Sequence, residues 1–301
     1  MVRADAYAKI NLALDITGKR PDGYHEIKSV MQELSLHDHV DLEINADPFV
    51  KLFVTGAGTE IPTDVTNAAV KAANLMRETF RIPEGVSIHI TKRIPAAAGL
   101  GGGSADAAAV IRGMNALFGL GLDTGRMAEL GAKIGADVPF CVPGGTALAE
   151  GIGEKLTALP AMPEFSVLLV KPSEGVSTKE AYEAFDTLPS VPHPDVDGAA
   201  ALLRGKPEKN AQWLKAFRNH CGNVLEAAAG EKLPVIPEIR TALEENGAEF
   251  CMMSGSGSCV YGLFTEETKA WEAAEKMKES FADLPEEKKP EIIVTRIRSN
   301  A

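Results

Sequence analysis

The stretch Pro95-Ala96-Ala97-Ala98-Gly99-Leu100-Gly101-Gly102-Gly103-Ser104 constrains this chain more than any other. Gly99, Gly101, Gly102 and Gly103 put four glycines into five positions, and Ala105-Asp106-Ala107-Ala108-Ala109 follows as a strong helix former. A tight strand-to-helix turn needs only one or two glycines. Four let backbone N–H groups converge on one anion, and the helix that follows adds the positive end of its dipole. The fold must therefore set this loop between a strand over Val86–Thr91 and a helix over Ser104–Phe118. That helix would bury Ala107, Val110, Ile111, Met114 and Phe118.

Elsewhere the pattern mixes both periods. Ile10, Leu12, Leu14 and Ile16 share one strand face, with Tyr7, Lys9 and Asn11 on the other. Lys19-Arg20-Pro21-Asp22-Gly23 reads as a turn. Strands are expected over 38–44 and 50–54, a helix after Asn67, and a short helix over 124–134 that ends before Pro139. The apolar run 165–170 reads as a buried strand. Helices are expected over 198–204, 208–227, 237–246 and 266–281, with a glycine turn at 254–258 between strands and a last strand over 292–297. A break near 155–163 divides the chain into domains 1–160 and 161–301, the second an α+β sandwich on a mostly antiparallel sheet.

The 301 residues carry 31 basic and 42 acidic side chains, a formal net charge of −11. Such a field repels phosphate backbones and anionic lipid, so any phosphate site is local and no nucleic-acid or membrane partner is expected. No apolar run is long enough to span a bilayer. Cys141, Cys221, Cys251 and Cys259 form no Cys-x-x-Cys pair, and the N-terminus lacks a signal core, which points to a cytoplasmic protein.

The loop is not a Walker A, because no Gly-Lys-Ser/Thr ends it. It maps poorly onto Gly-x-Gly-x-x-Gly, because Ser104 stands where the last glycine belongs. Two other positions carry chemistry. Lys9 is either a solvated edge-strand lysine or a fixed ammonium beside a reacting oxygen. Asp137, in Gly135-Ala136-Asp137-Val138-Pro139, is either a cap or a base for an attacking hydroxyl. Tyr24-His25 could stack on and hydrogen-bond a flat base, and the Gly255/Gly257 turn could admit a close backbone approach.

Ala8-Lys9-Ile10-Asn11-Leu12, Pro95 to Ala108, and Met253-Ser254-Gly255-Ser256-Gly257 together resemble the galactokinase–homoserine kinase–mevalonate kinase–phosphomevalonate kinase (GHMP) superfamily. Gly18-Lys19-Arg20-Pro21-Asp22-Gly23-Tyr24-His25-Glu26 and Gly135 to Pro139 narrow the likeness to the branch that phosphorylates 4-diphosphocytidyl-2-C-methyl-D-erythritol. The resemblance covers essentially the whole chain. It implies an α+β, two-domain GHMP kinase fold, with an N-terminal ribosomal-protein-S5-like domain holding the ATP-phosphate loop. The C-terminal domain would be a ferredoxin-like α/β sandwich that contributes to substrate binding.

It further implies that Asp137 is the base and that Lys9 orients the 2-hydroxyl, with Asn11 in support. Tyr24 would stack on cytosine, His25 would read its edge, and Thr178 and Tyr182 would supply a second wall. Pro95, Ala96, Ala97, Ala98, Gly99, Leu100, Gly101, Gly102, Gly103 and Ser104 would hold the ATP phosphates, and Asn67 and Lys92 the adenine. Mg2+ is expected with ATP, with Ser104 as its candidate protein ligand. Ala105 stands where the family commonly has a second serine, but the Ser104 hydroxyl is kept. A monomer or weak homodimer is expected. The alternatives are a homoserine or mevalonate type of kinase, which needs no cytosine clamp, and a non-catalytic nucleotide-binding regulator, which would not need Lys9 and Asp137.

Overall fold

The structure is a computed structural model that describes residues 1–56 and 61–299. Its first half is a six-stranded sheet. Two long strands, β1 (Val2–Lys19) and β2 (His25–Asn45), form an antiparallel hairpin around the predicted turn. β2 is far longer than the 38–44 expected. Ser29 to Leu34 are buried on both faces, so polar–apolar alternation vanishes there. β3 (Val50–Thr55) runs parallel to β4 (Gly85–Thr91), and β5 (Thr146–Gly151) and β6 (Lys155–Ala158) complete the order β3-β4-β2-β5-β6, with β1 paired to β2. α1 (Ala68–Phe80), α2 (Gly102–Leu117), α3 (Thr124–Ala132) and the single turn α4 (Val138–Cys141) belong to this half.

The second half runs β7 (Ser166–Lys171), α5 (Thr178–Phe185), α6 (Val196–Arg204), α7 (Ala211–Arg218), α8 (Leu225–Lys232), α9 (Val235–Glu245), β8 (Phe250–Met253), β9 (Val260–Phe264), α10 (Glu267–Ser280) and β10 (Glu291–Arg296). Its sheet has the order β10-β7-β9-β8 and every pair is antiparallel. With the helices between β7 and β8 and between β9 and β10, that is the split βαβ arrangement expected of a ferredoxin-like sandwich.

The single helix expected over 208–227 is two helices. Between α7 and α8 the backbone leaves the helix to pair with β1: Leu14 N–H donates to Gly222 at 2.8 Å, and Val224 N–H returns to Leu14 at 3.1 Å. Asn223 then caps α8 through the Leu225 N–H at 3.0 Å. The apolar core also crosses between the halves. Leu14, Ile16 and Ile27 pack in one cluster with Val170, Leu225 and Met253. Tyr261 on β9 donates its hydroxyl to the carbonyl of Asn11 at 2.8 Å. These contacts fix β1, and whatever it carries, against the second half.

Candidate active site

A cleft of about 650 Å³ lies where four segments meet: β1, the glycine loop, the start of α4, and the turn between β8 and β9. The loop is shaped by close approaches. Gly99 has φ +71°, and a Cβ there would sit 2.0 Å from the carbonyl oxygen of Ser254. Gly101 has φ +70°, and its Cβ would press on the Lys9 side chain at 2.9 Å. The Ser254 hydroxyl donates to the Gly99 carbonyl at 2.9 Å, and Lys9 N–H donates to Leu100 at 2.9 Å. Gly101 is also the N-cap of α2, and no side chain caps that helix. The first-turn N–H groups are thus left for a ligand anion.

Lys9 is nearly enclosed. Its ammonium donates to Asn11 Oδ1 at 2.8 Å and lies 3.4 Å from Asp137. Asn11 in turn donates to Ser29 Oγ at 2.8 Å, and Ser29 to the Ala13 carbonyl at 2.7 Å, so the amide is held in one orientation. The solvated edge-strand alternative for Lys9 therefore falls: its side chain is 4% exposed and that of Asp137 31%. A buried cation beside a partly open carboxylate, both facing an uncapped helix start, is an arrangement for handling a hydroxyl next to phosphate.

Pro95 to Ser104, Asn67, Lys92, Asn11, Thr178 and Tyr182 all line the same cleft. Asn67 and Lys92 are both engaged within the protein. Asn67 caps α1, accepting from Ala69 N–H at 2.9 Å and donating to the Pro62 carbonyl at 2.8 Å. Lys92 is sunk beneath the start of α2, ion-paired with Asp38 and, at 2.8 Å, with Asp106. Burial opposes the Lys92 charge, but Asp106 and Asp38 outweigh it and raise its pKa. Burial pushes the Asp106 carboxyl up to about 7 against the pull of Lys92, and Asp38 adds to the rise. Lys92 thus lines the cleft while its ammonium braces the phosphate loop through two carboxylates.

The aromatic residues are only partly brought together. Tyr182 lines the cleft, and burial, helped by the nearby Asp137, raises its phenol to about 12. His25 packs against the Tyr182 ring at 4.9 Å and donates from Nε2 to Asp186 at 2.8 Å. Tyr24 stands apart at the hairpin turn, 62% exposed and outside the cleft lining. Thr178 and Ser256 share a hydroxyl hydrogen bond of 3.0 Å that links α5 to the β8–β9 turn. Sequence reasoning missed Asn223, whose amide donates to the carbonyls of Met253 (2.9 Å) and Gly255 (2.8 Å) and so positions that turn. It also missed Asp38 and Asp186. Each sits in a polar stretch with no motif, and only tertiary pairing reveals it.

Residues 67–145 match the GHMP kinases N terminal domain, and residues 199–283 match the GHMP kinases C terminal model. A 4-diphosphocytidyl-2-C-methyl-D-erythritol kinase of Caldicellulosiruptor saccharolyticus is 46% identical over 274 residues, covering 91% of each chain. One from Geobacillus sp. (strain WCH70) is 47% identical over 265 residues, covering 88% of each. This chain belongs to the 4-diphosphocytidyl-2-C-methyl-D-erythritol kinase family, within the GHMP kinases. The crystal structure of a 4-(cytidine 5'-diphospho)-2C-methyl-D-erythritol kinase superposes with a TM-score of 0.78 at 30% identity, covering 99% of this chain and 100% of that one. A homoserine kinase from Cytophaga hutchinsonii has the same fold, with a TM-score of 0.75 at 20% identity over 99% of this chain and 95% of that one. The kinase family thus accounts for the loop and for both sheets.

Proposed function

We propose that this chain transfers the γ-phosphoryl group of ATP to the 2-hydroxyl of 4-diphosphocytidyl-2-C-methyl-D-erythritol, giving the 2-phosphate and ADP in the non-mevalonate isoprenoid pathway. The observation that carries this reading is the Lys9–Asp137 pair, set in the same cleft as the uncapped N-terminus of α2 in a member of this kinase family. The loop from Pro95 to Ser104 cradles the triphosphate with backbone N–H groups. Asp137 accepts the proton of the attacking hydroxyl as the new P–O bond forms and the bond to the β-phosphate oxygen breaks. Lys9 holds that hydroxyl near Asp137 and offsets charge on the transferring group. Asn11 keeps the ammonium in place.

Tyr182 and His25 form one wall for the cytosine ring. Tyr24, now exposed at the hairpin tip, closes the other side when the nucleotide enters. Asn67 stands at the adenine end of the cleft. The Asp106 and Asp137 carboxylates are each tied to a lysine, whereas the Ser104 hydroxyl on the cleft wall is an oxygen donor outside those pairs. That donor set fits a Mg2+ held by phosphates and water, with Ser104 as its protein contact. When bound, the ion would neutralise phosphate oxygens. A cytosolic monomer or weak homodimer suits the acidic surface and the four free cysteines. Among the described residues no helix is long and apolar enough to cross a membrane.

The test is ATP-dependent turnover of the cytidyl substrate, with the product identified by phosphorus NMR, in wild type and Asp137→Asn. The variant should lose about 10²–10⁴-fold in kcat and keep its affinity for ATP. Equal turnover of mevalonate or homoserine by the wild type would overturn the substrate assignment. Near-normal turnover by the variant would remove Asp137 from the base role.

A further inference from the structure

Away from the cleft, β1 and β2 bring three metal-binding side chains to one patch. His37 and His39 are two apart on β2 and so point to the same face. Asp5 on β1 is the register partner of His39, and Tyr7 that of His37. One ligating atom from each of Asp5, His37 and His39 lies within 4.8 Å of those of the other two, and all three residues are half-buried. Donors about 2.1 Å from one ion are at most about 4.2 Å apart. The contraction needed is within reach of side-chain rotation.

The imidazoles are also oriented for the task. His37 Nδ1 donates to the Ser35 carbonyl at 2.8 Å, and His39 Nδ1 donates to Asp5 Oδ1 at 2.9 Å. His37 therefore carries its lone pair on Nε2, whereas His39 Nδ1 and Asp5 Oδ1 share a proton that an ion bound between them would replace. The other nitrogen of His37 is fixed by a carbonyl, as is usual in histidines that bind metals. The nearby cations are committed elsewhere. Arg112 donates to the Asp5 carbonyl at 2.6 Å and to the Cys141 carbonyl at 2.6 Å. Arg298 pairs with Glu33 at 2.6 Å and covers the Tyr7 ring at 3.8 Å.

We propose that Asp5, His37 and His39 form a second site, separate from the kinase cleft, that binds a divalent transition ion of the zinc class. Two imidazoles and one carboxylate suit Zn2+ or Ni2+ and disfavour Mg2+ and Ca2+, which want oxygen ligands throughout. Ligands drawn from both strands would staple the open end of the β1–β2 hairpin. β1 carries Lys9 four positions beyond Asp5, so the staple would stiffen the strand that presents the catalytic ammonium.

The experiment is zinc titration of chelator-treated protein without nucleotide, read by calorimetry and by thermal unfolding. Wild type should take up one tight equivalent and gain about 5 °C in Tm at a hundredfold excess over Kd. His37→Ala/His39→Ala should lose both responses, and His39→Gln should weaken them. The metal-free melts and circular dichroism of the variants should match wild type, which separates loss of the site from loss of the fold. Absence of a saturable equivalent in wild type would overturn the site. So would the same equivalent and Tm gain in the double variant, because the ion would then be held elsewhere.

Discussion

Lys9→Met separates the chemical role of the ammonium from its structural one. The side chain is 4% exposed, and its charge sits 2.8 Å from Asn11 and 3.4 Å from Asp137. Methionine keeps the length and most of the volume. In the resting protein the change leaves Asn11 Oδ1 without its donor, which costs about 1–3 kcal/mol for a buried acceptor. It also removes a cation whose desolvation opposed folding, so the two effects offset each other and Tm should move by no more than about 5 °C. The transition state loses more. One preorganised positive group beside the reacting oxygen is worth about 2.7–4 kcal/mol, a fall of about 10²–10³ in kcat. The KM for ATP should hold, because the triphosphate is gripped by the loop backbone. Steady-state ADP release over a range of ATP concentrations up to saturation, with a melting curve on the same preparation, reads all three quantities. A protein that melts normally and turns over like wild type would refute the placement of Lys9 beside the attacking hydroxyl.

Gly99→Ala should act on the donor side instead. The left-handed backbone costs a side chain about 1–2 kcal/mol, and the new Cβ would sit 2.0 Å from the Ser254 carbonyl, so the loop and the β8–β9 turn must separate. A raised KM for ATP in the same assay is the expected result, and an unchanged one would show that the contact is dispensable. Asp106→Asn should alter the pH dependence of stability. The native carboxyl titrates near 7, above its unfolded value of about 4, so the folded chain holds an extra proton between those limits. The stability this proton contributes is present below about pH 4 and is lost as pH rises toward 7. Urea unfolding at pH 5 and pH 8 should therefore show a smaller penalty for the asparagine variant at the higher pH, and equal penalties would contradict the raised carboxyl.

Much of the architecture can be read along the chain because it is local. The loop, the helix after it and the strand carrying Lys9 each announce themselves within a dozen residues, through glycine content or a clean period. Legibility fails where a distant segment decides. Ser29 to Leu34 lose their alternation because both faces are covered. The 208–227 helical period runs on through Gly222 and Asn223, yet β1 captures their backbone and breaks the helix. The same limit applies to the site. Lys9 and Asp137 can each be picked out by residue type, but their meeting at 3.4 Å depends on the packing of α4 against the hairpin. Lys92 shows the converse: its place in the cleft wall was foreseeable, and so was a carboxylate at Asp106 inside the loop motif, while its other partner, Asp38, lies in a stretch without a motif.

The Ser254–Gly99 contact has a consequence for the growing polypeptide. The loop leaves the ribosome first, and Asn223 and the turn that buttresses it follow more than a hundred residues later. A nascent chain already holding Lys9, the loop and Asp137 thus lacks the brace that sets Gly99. Competence to transfer phosphate waits for that turn, and a product terminated before it has a nucleotide cradle with one side missing.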